Sequence, residues 1–271
     1  MSGLMQRSAE TEVIESVEQF ASMWRVFVND RGDADVTDRG GLAIRWADNA
    51  FPFWNMIFLR EQIDDPRALA DSLNDAARYM RARRHVGLVC VCEEYLGTSA
   101  LAFLPDAVAR VGLEFGLTMH GMAGDFLPIP PPTPSALRFA RAITDDDLGA
   151  YADINSRGYG LPLDAGRAGL VGSSLWKERM QTWLGYEDGT PVSAAATVAN
   201  DGCLFLALVA TTPTAQRKGY GDATVRHALS EGARATGLTR TVLHASDAGF
   251  PVYQRIGYRK VCTIQAYRLG T

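Results

Sequence analysis

Residues 204–229 read LFLALVATTPTAQRKGYGDATVRHAL, and this stretch decides the fold. An apolar run typical of a buried strand leads into a loop in which Gln216, Gly219 and Gly221 form a Q-x-x-G-x-G pattern, and a helical apolar period follows. Glycines at such a junction let the backbone approach an anion, and the free N–H groups of the helix's first turn point to the same place. The pattern predicts a pyrophosphate-binding loop, to which Arg217 and Lys218 add positive charge.

Two other phosphate-binding loops differ from this one. A dinucleotide-binding fingerprint needs G-x-G-x-x-G and an acidic residue about 20 positions later, and a Walker loop needs G-K-S/T. The stretch fits neither pattern. The chain continues instead with a strand at TVLHA and a short helix within GFPVYQRIGY, which Gly257 ends.

This combination resembles the GNAT superfamily of N-acetyltransferases over residues 137–268. The residues that carry the resemblance are VAT at 209–211, Pro213, QRKGYG at 216–221, Tyr253, Gly257 and Tyr258. The resemblance implies an α/β fold with a mixed α+β sheet, and acetyl-CoA as the acyl-donor substrate. A diverged loop that has lost its ligand is the alternative.

The resemblance also implies roles for single residues. The loop would bind the pyrophosphate of coenzyme A, the preceding strand would pair with the pantetheine arm, and Tyr253 would lie near the thioester sulfur as the general acid. The loop residues are Gln216, Arg217, Lys218, Gly219, Tyr220, Gly221 and Asp222, and the strand residues are Leu208, Val209 and Ala210. A tyrosine that only packs in the core is the alternative for Tyr253.

No general base is evident from the residues. The strand CLFLALVAT has neither an acidic residue nor a histidine where some members of the family keep a glutamate. His244 is a candidate by its chemistry, with a packed or hydrogen-bonded histidine as the alternative reading. Glu187 lies at a hairpin turn, where we expect a solvated side chain. A chain of water molecules is therefore the expected route for the proton of the amine.

The first half of the chain looks like a degenerate copy of the same fold. We predict a GNAT-like domain at 1–127, a proline-rich linker at 128–135 and the acetyl-CoA-binding domain at 136–271. Where the first half should hold its own anion loop, it reads REQIDDPRA, without glycine and with carboxylates that would repel a pyrophosphate, namely Glu61, Asp64 and Asp65. An unrelated α/β domain and a proline-rich loop within one domain are the alternatives.

Apolar periods and turn residues place the elements of both halves. Helices are predicted at about 12–29, 68–84, 106–114 and 167–180, and strands at 42–48, 55–59, 85–92, 116–122 and 137–143. The segment 155–162, with Asn155 and Tyr159, could form a wall for the acceptor or simply end a helix. The aromatic cluster of Phe51, Phe53 and Trp54 is read as core between the halves, with a pocket wall as the alternative.

Composition bounds the remaining possibilities. The 271 residues are 47% hydrophobic and 21% charged, with a net charge of -4, so a globular protein without a nucleic-acid partner is expected. No apolar stretch is long enough to predict a membrane span. Cys90 and Cys92 form one C-x-C pair without a second ligand pair, so no metal site is expected, and a reduced cytoplasmic protein follows.

The sequence therefore predicts an N-acetyltransferase that transfers an acetyl group from acetyl-CoA to a primary amine of a small molecule by direct attack. A non-catalytic acyl-CoA-binding or regulatory module and a protein or peptide acetyltransferase are the alternatives. Edge strands of such a sheet could pair between subunits, so a homodimer stays open.

Overall fold

A computed structural model describes residues 7–125, 129 and 136–270 of the chain. Its helices are α1 (Ala9–Asn29), α2 (Pro66–Arg81), α3 (Thr98–Arg110), α4 (Asp145–Tyr159), α5 (Leu163–Leu170), α6 (Leu175–Glu178), α7 (Tyr220–Thr236) and α8 (Phe250–Ile256). Its strands are β1 (Asp35–Arg39), β2 (Leu42–Trp46), β3 (Asn55–Leu59), β4 (Leu88–Cys92), β5 (Leu113–Gly124), β6 (Arg138–Arg141), β7 (Gln181–Glu187), β8 (Thr190–Asn200), β9 (Cys203–Thr211), β10 (Thr241–Ser246) and β11 (Arg259–Leu269). Among these helices, none has the length and apolar character needed to cross a membrane.

One sheet contains all eleven strands, in the order β1-β2-β3-β4-β11-β5-β10-β9-β8-β7-β6. The pairs β3–β4 and β9–β10 are parallel, and the other neighbours are antiparallel. Each parallel pair is connected through a helix, α2 in the first half and α7 in the second. The expected α/β class with a mixed sheet is confirmed.

The last strand of each half lies within the other half's part of the sheet. β5 pairs with β10 on one side and with β11 on the other, while β11 pairs with β5 and β4. If β1 to β5 are matched in order with β7 to β11, the sheet reads the same from either end, with β6 left over. The two halves therefore share one strand topology and exchange their last strands, and neither half completes its sheet alone.

Most of the predicted elements are confirmed, with three differences. The helix predicted at 106–114 is α3, which begins after its N-cap residue Gly97 and continues through Pro105 to Arg110. The helix predicted at 167–180 is two short helices, α5 and α6, separated near Gly172, whose φ of +80° interrupts a helix. The sequence analysis did not predict β1. Its residues, DVTDR, are all half-buried or exposed in the structure, so they form no apolar run that would indicate a strand.

The predicted linker at 128–135 lies outside the described residues apart from Ile129. That side chain is buried in the cluster beneath α7 and β10. The domain boundaries on either side of the linker stay predictions.

Helix α1 packs across the middle of the sheet and carries the core between the halves. Its Phe27 stacks on Trp176 with the ring centroids 5.8 Å apart. Trp54 lies 5.1 Å from Phe27 and is fully buried, so the reading of the aromatic cluster as core is right for Trp54.

A charged network ties α1 to the exchanged strands. Arg240, at the entry to β10, is 5% exposed; its Nη1 lies 2.7 Å from Asp125, just after β5, and its Nε lies 2.9 Å from Glu15 of α1. Burial lowers the pKa of Arg240, but the ion pairs with Glu15 and Asp125 outweigh this effect and raise it. Arg240 is therefore charged and paired where the two halves meet.

Candidate active site

Two parallel strands diverge to form the candidate site. The pairing of β9 with β10 consists of Thr241 with Leu204 and Val242 with Phe205. Beyond this point both strands continue, and a cleft of about 390 Å³ lies between them, lined on one side by residues 209–211 and on the other by 244–246. The gap leaves the edge of β9 open to a ligand.

A β-bulge in β9 shapes the wall of this cleft. The register with β8 shifts between Ala194, opposite Ala210, and Ala196, opposite Ala207. Within the bulge Leu208 adopts a φ of +47°, a left-handed conformation that is strained for a residue with a side chain.

Two tyrosines of α4 hold the bulge in place. The hydroxyl of Tyr151 donates to the carbonyl of Leu208 at 2.8 Å, and that of Tyr159 donates to the carbonyl of Val209 at 2.9 Å. Of the three strand residues predicted to pair with the pantetheine arm, Val209 and Ala210 line the cleft, and Leu208 lines a neighbouring cavity instead.

The glycine loop closes the end of the cleft. Gly219 is the N-cap residue of α7, with a φ of +81° and without a side-chain cap for the first turn. A Cβ on Gly221 would lie 3.0 Å from Thr211 Oγ1, so glycine permits the close approach of α7 to β9. The first-turn N–H groups of α7 therefore face the cleft uncapped, as an anion site requires. The predicted loop residues Gln216, Arg217, Gly219, Tyr220, Gly221 and Asp222 all line the cleft.

Lys218 is the one predicted loop residue that is not among the lining residues of the cleft. Its Nζ lies 3.1 Å from Glu187, and the Tyr220 hydroxyl donates to the same carboxylate. The hydrogen bonds from Tyr220 and Lys218 lower the pKa of Glu187. Glu187 is therefore partly exposed, as expected of a hairpin turn, and is also paired with the loop.

Tyr253 lies on α8 in the wall of the cleft, 8% exposed. Burial raises the pKa of its hydroxyl, and the neighbouring phenols of Tyr159 and Tyr258 raise it further. The hydroxyl is therefore protonated at neutral pH and can donate a proton to a developing thiolate. Glycine at 249 leaves room for this ring, since a Cβ there would lie 3.1 Å from it.

His244 separates the cleft from the neighbouring cavity. Its ring stacks on Phe20 of α1 with centroids 3.8 Å apart, and its Nε2 lies 3.1 Å from Ser16 Oγ. Burial lowers the pKa of His244 to about 3, against a small opposing effect of Ser16. Its buried Nδ1 has no hydrogen-bond partner within the described chain. The ring is thus neutral at physiological pH and a weak base.

The neighbouring space, the aromatic cavity, has a volume of about 120 Å³. It shares Tyr159, His244 and Ser246 with the cleft. Its further lining residues are Phe20, Trp24, Phe53, Met56, Leu117, Met119 and residues 205–208. Of the predicted acceptor wall, Tyr159 lies here, whereas Asn155 is fully buried and donates to the Tyr151 carbonyl. Phe53 lines the cavity, so the pocket alternative applies to that member of the cluster.

Sequence reasoning also missed a cluster of two thiols and a carboxylate outside the cleft and the aromatic cavity. Cys262 of β11 lies close to Cys92 of β4, and their sulfur atoms and a Glu94 carboxylate oxygen are within 4.8 Å of one another. Both oxygens of Glu94 accept from the Thr263 N–H, at 2.9 and 3.1 Å. The hydrogen bond between the two thiols raises the pKa of Cys92 and lowers that of Cys262. No local spacing signals such a cluster, because β4 and β11 are joined only by the strand exchange.

Residues 170–269 match the family model described as an acetyltransferase (GNAT) domain. The matched range contains the glycine loop, both strands of the cleft and Tyr253. The predicted resemblance is confirmed, and this C-terminal region is a GNAT domain.

Solved structures resemble nearly the whole chain. A GCN5-related N-acetyltransferase from Kribbella flavida shares 18% identity at a TM-score of 0.68, over 98% of this chain and 97% of its own. A conserved protein of unknown function from Staphylococcus epidermidis shares 10% identity at 0.61, over 88% and 95%. A GCN5-related N-acetyltransferase from Sphaerobacter thermophilus shares 13% identity at 0.56, over 84% and 75%. These similarities show the fold, and no curated protein matches the chain.

Proposed function

We propose that the protein transfers an acetyl group from acetyl-CoA to a primary amine of a small molecule by direct attack. The observation that carries the proposal is that one cleft of about 390 Å³ joins an uncapped helix N-terminus, an open strand edge and a buried tyrosine. These are the parts that a pyrophosphate, a pantetheine amide and a thioester sulfur need.

The residues present fit the donor. Its pyrophosphate would bind the first-turn N–H groups of α7 at Gly219 and Gly221, where side chains are absent. Its pantetheine arm would add to the edge of β9 at Val209 and Ala210, whose N–H groups would also polarise the thioester carbonyl.

The reaction balances with residues of this chain. The neutral amine nitrogen attacks the thioester carbonyl carbon, an amide C–N bond forms, and the C–S bond breaks. The departing thiolate, whose thiol has a pKa of about 8.5, takes the proton of the Tyr253 hydroxyl. The amine releases a proton to water, and water reprotonates Tyr253. His244, which is neutral, is available to orient the amine and is too weak a base to deprotonate an ammonium.

The test combines acetyl-CoA calorimetry with a thiol-release assay on a panel of amines. We expect one site per chain and turnover with an amine. Tyr253→Phe should keep the acetyl-CoA affinity and lower kcat at least about tenfold, because it removes the proton donor but keeps the ring.

Tyr258→Phe, on the neighbouring phenol, is the matched control and should retain most of the rate. Unchanged kcat in Tyr253→Phe would remove this residue from the reaction. Acetyl-CoA binding without turnover across amines and lysine peptides would favour the non-catalytic binding module. Turnover with lysine peptides alone would favour the peptide acetyltransferase. A cytoplasmic location is part of the proposal, supported by four cysteines that are free and buried.

A further inference from the structure

The aromatic cavity extends the cofactor cleft at the point where an acceptor must arrive. The two spaces meet at Tyr159, His244 and Ser246. A molecule bound in the cavity with one end at this boundary would therefore present that end to the thioester side of the cleft. The other end would lie between the two halves of the chain, against α1.

The wall of the cavity is apolar. Aromatic and aliphatic side chains form it, apart from Tyr159, His244, Ser246 and the indole nitrogen of Trp24, and neither a carboxylate nor a lysine or arginine is among the described lining residues. Two of its polar groups are already paired: the Tyr159 hydroxyl with the Val209 carbonyl, and the Trp24 indole N–H with the Phe53 carbonyl at 2.5 Å. A ligand that fills this space gains by burying apolar surface.

His244 is the polar side chain at the boundary that helix α1 holds in place. Its Nε2 is held by Ser16 and its ring by Phe20, so its orientation is fixed by α1. Its Nδ1 is buried without a partner in the described residues. A neutral imidazole contributes no charge that would repel an ammonium or hold it.

We propose that the acceptor is a primary amine on an aromatic or other apolar body, which the aromatic cavity binds with the amino group at the His244 boundary. The inference rests on the proposed acetyl transfer for its chemistry, but the binding of the amine is separable from it. A diamine or a lysine in a polar peptide is disfavoured, because its further polar groups would lose water in the cavity without gaining partners.

Binding is tested apart from turnover by calorimetry with phenethylamine on the protein saturated with free CoA, which cannot react. Leu117→Glu places a carboxylate in the cavity wall, and Phe115→Glu places one on the same strand at an exposed position outside it. We expect phenethylamine to bind the wild type and Phe115→Glu alike and to bind Leu117→Glu at least about tenfold more weakly, with CoA affinity unchanged in all three.

Turnover then compares phenethylamine with putrescine. The wild type should prefer phenethylamine at least about tenfold in kcat/KM, and Leu117→Glu should shift the preference towards putrescine. Leu117→Phe fills the cavity without a charge and should reject phenethylamine while accepting butylamine. If Leu117→Glu does not fold, Leu117→Phe tests whether the aromatic cavity binds the acceptor.

Two results would separate the two proposals. Phenethylamine that binds, with no amine of the panel acetylated, would overturn the proposed acetyl transfer and leave the cavity assignment standing. Turnover that prefers putrescine, with phenethylamine binding absent or insensitive to Leu117, would overturn the apolar acceptor and leave the acetyl transfer standing.

Discussion

Two loops occupy equivalent places in the two halves, residues 60–65 after β3 and residues 212–219 after β9. They differ in whether the helix that follows has a side-chain cap. In the second half, Gly219 leaves the first turn of α7 without a side-chain cap. In the first half, Asp65 caps α2, and its carboxylate accepts from the Arg67 N–H at 3.0 Å. A carboxylate of the chain thus holds the N–H group and fills the place where an anion would bind, which gives a physical role to one of the acidic residues noted in the sequence.

The strands beside the two loops differ as well. In the first half, the Ile63 N–H donates to the Tyr95 carbonyl at 2.8 Å, the Gly97 N–H donates to the Ile63 carbonyl at 2.9 Å, and Ile63 forms a β-bridge with Leu96. The second half has an open cleft at this place. The register of β2 with β3 also runs without the shift that β8 and β9 show. An anion loop alone does not make the site; it also needs the bulge and the gap.

The largest effect should come from separating the halves. Residues 136–271 expressed alone lack β5, the strand between β10 and β11, so we expect no cooperative thermal transition in circular dichroism and no acetyl-CoA binding. Co-expression with residues 1–127 should restore both. A fragment that unfolds cooperatively and binds acetyl-CoA would show that the second half folds without β5.

The next effect concerns the cap. Gly219→Asp places a carboxylate at the first turn of α7, as Asp65 does at α2, and it should weaken acetyl-CoA binding about 100-fold, or about 2.7 kcal/mol, through repulsion of the pyrophosphate. Gly237, at the other end of α7, has a φ of +72° and equally open surroundings, so Gly237→Asp has the same backbone strain. Calorimetry should find the affinity of Gly237→Asp unchanged. Equal losses in both variants would assign the effect to strain alone.

Sequence reasoning reaches the loop and not the cavity for a physical reason. The strand, the glycines and α7 are contiguous in the sequence, so the local pattern of residues is enough to predict their structure. The exchange of β5 and β11 depends on pairing between distant strands, which alternation along one strand does not specify. Likewise Ser16 and His244, 228 positions apart, meet only once α1 crosses the completed sheet. The sequence could therefore identify His244 as a candidate, but it could not predict that the imidazole is neutral and stacked on Phe20.

A smaller, graded effect is expected with pH. His244 has a pKa of about 3, and burial raises the pKa of Tyr253, so neither changes its charge between pH 6 and 9. An alkylamine has a pKa of about 10.4, and below it the neutral fraction rises tenfold per pH unit, so log kcat/KM for phenethylamine should rise with a slope of about 1. An arylamine, which is already neutral at pH 7, should give a flat profile. A plateau near pH 7 for both amines would reveal a base in the protein.

The smallest effect tests whether the first half could be reopened. Asp65→Ala removes the cap of α2 and should destabilise the protein by about 1 kcal/mol, which lowers Tm by roughly 2–4 °C in a calorimetric scan. Acetyl-CoA should still bind at one site per chain, because the hydrogen bonds of Ile63 with Tyr95 and Gly97 keep that side closed. Asp75→Ala, at an exposed position within the same helix, should change Tm less because it removes no cap. A second acetyl-CoA site in Asp65→Ala would mean that the cap, and not the closed gap, is what silences the first half.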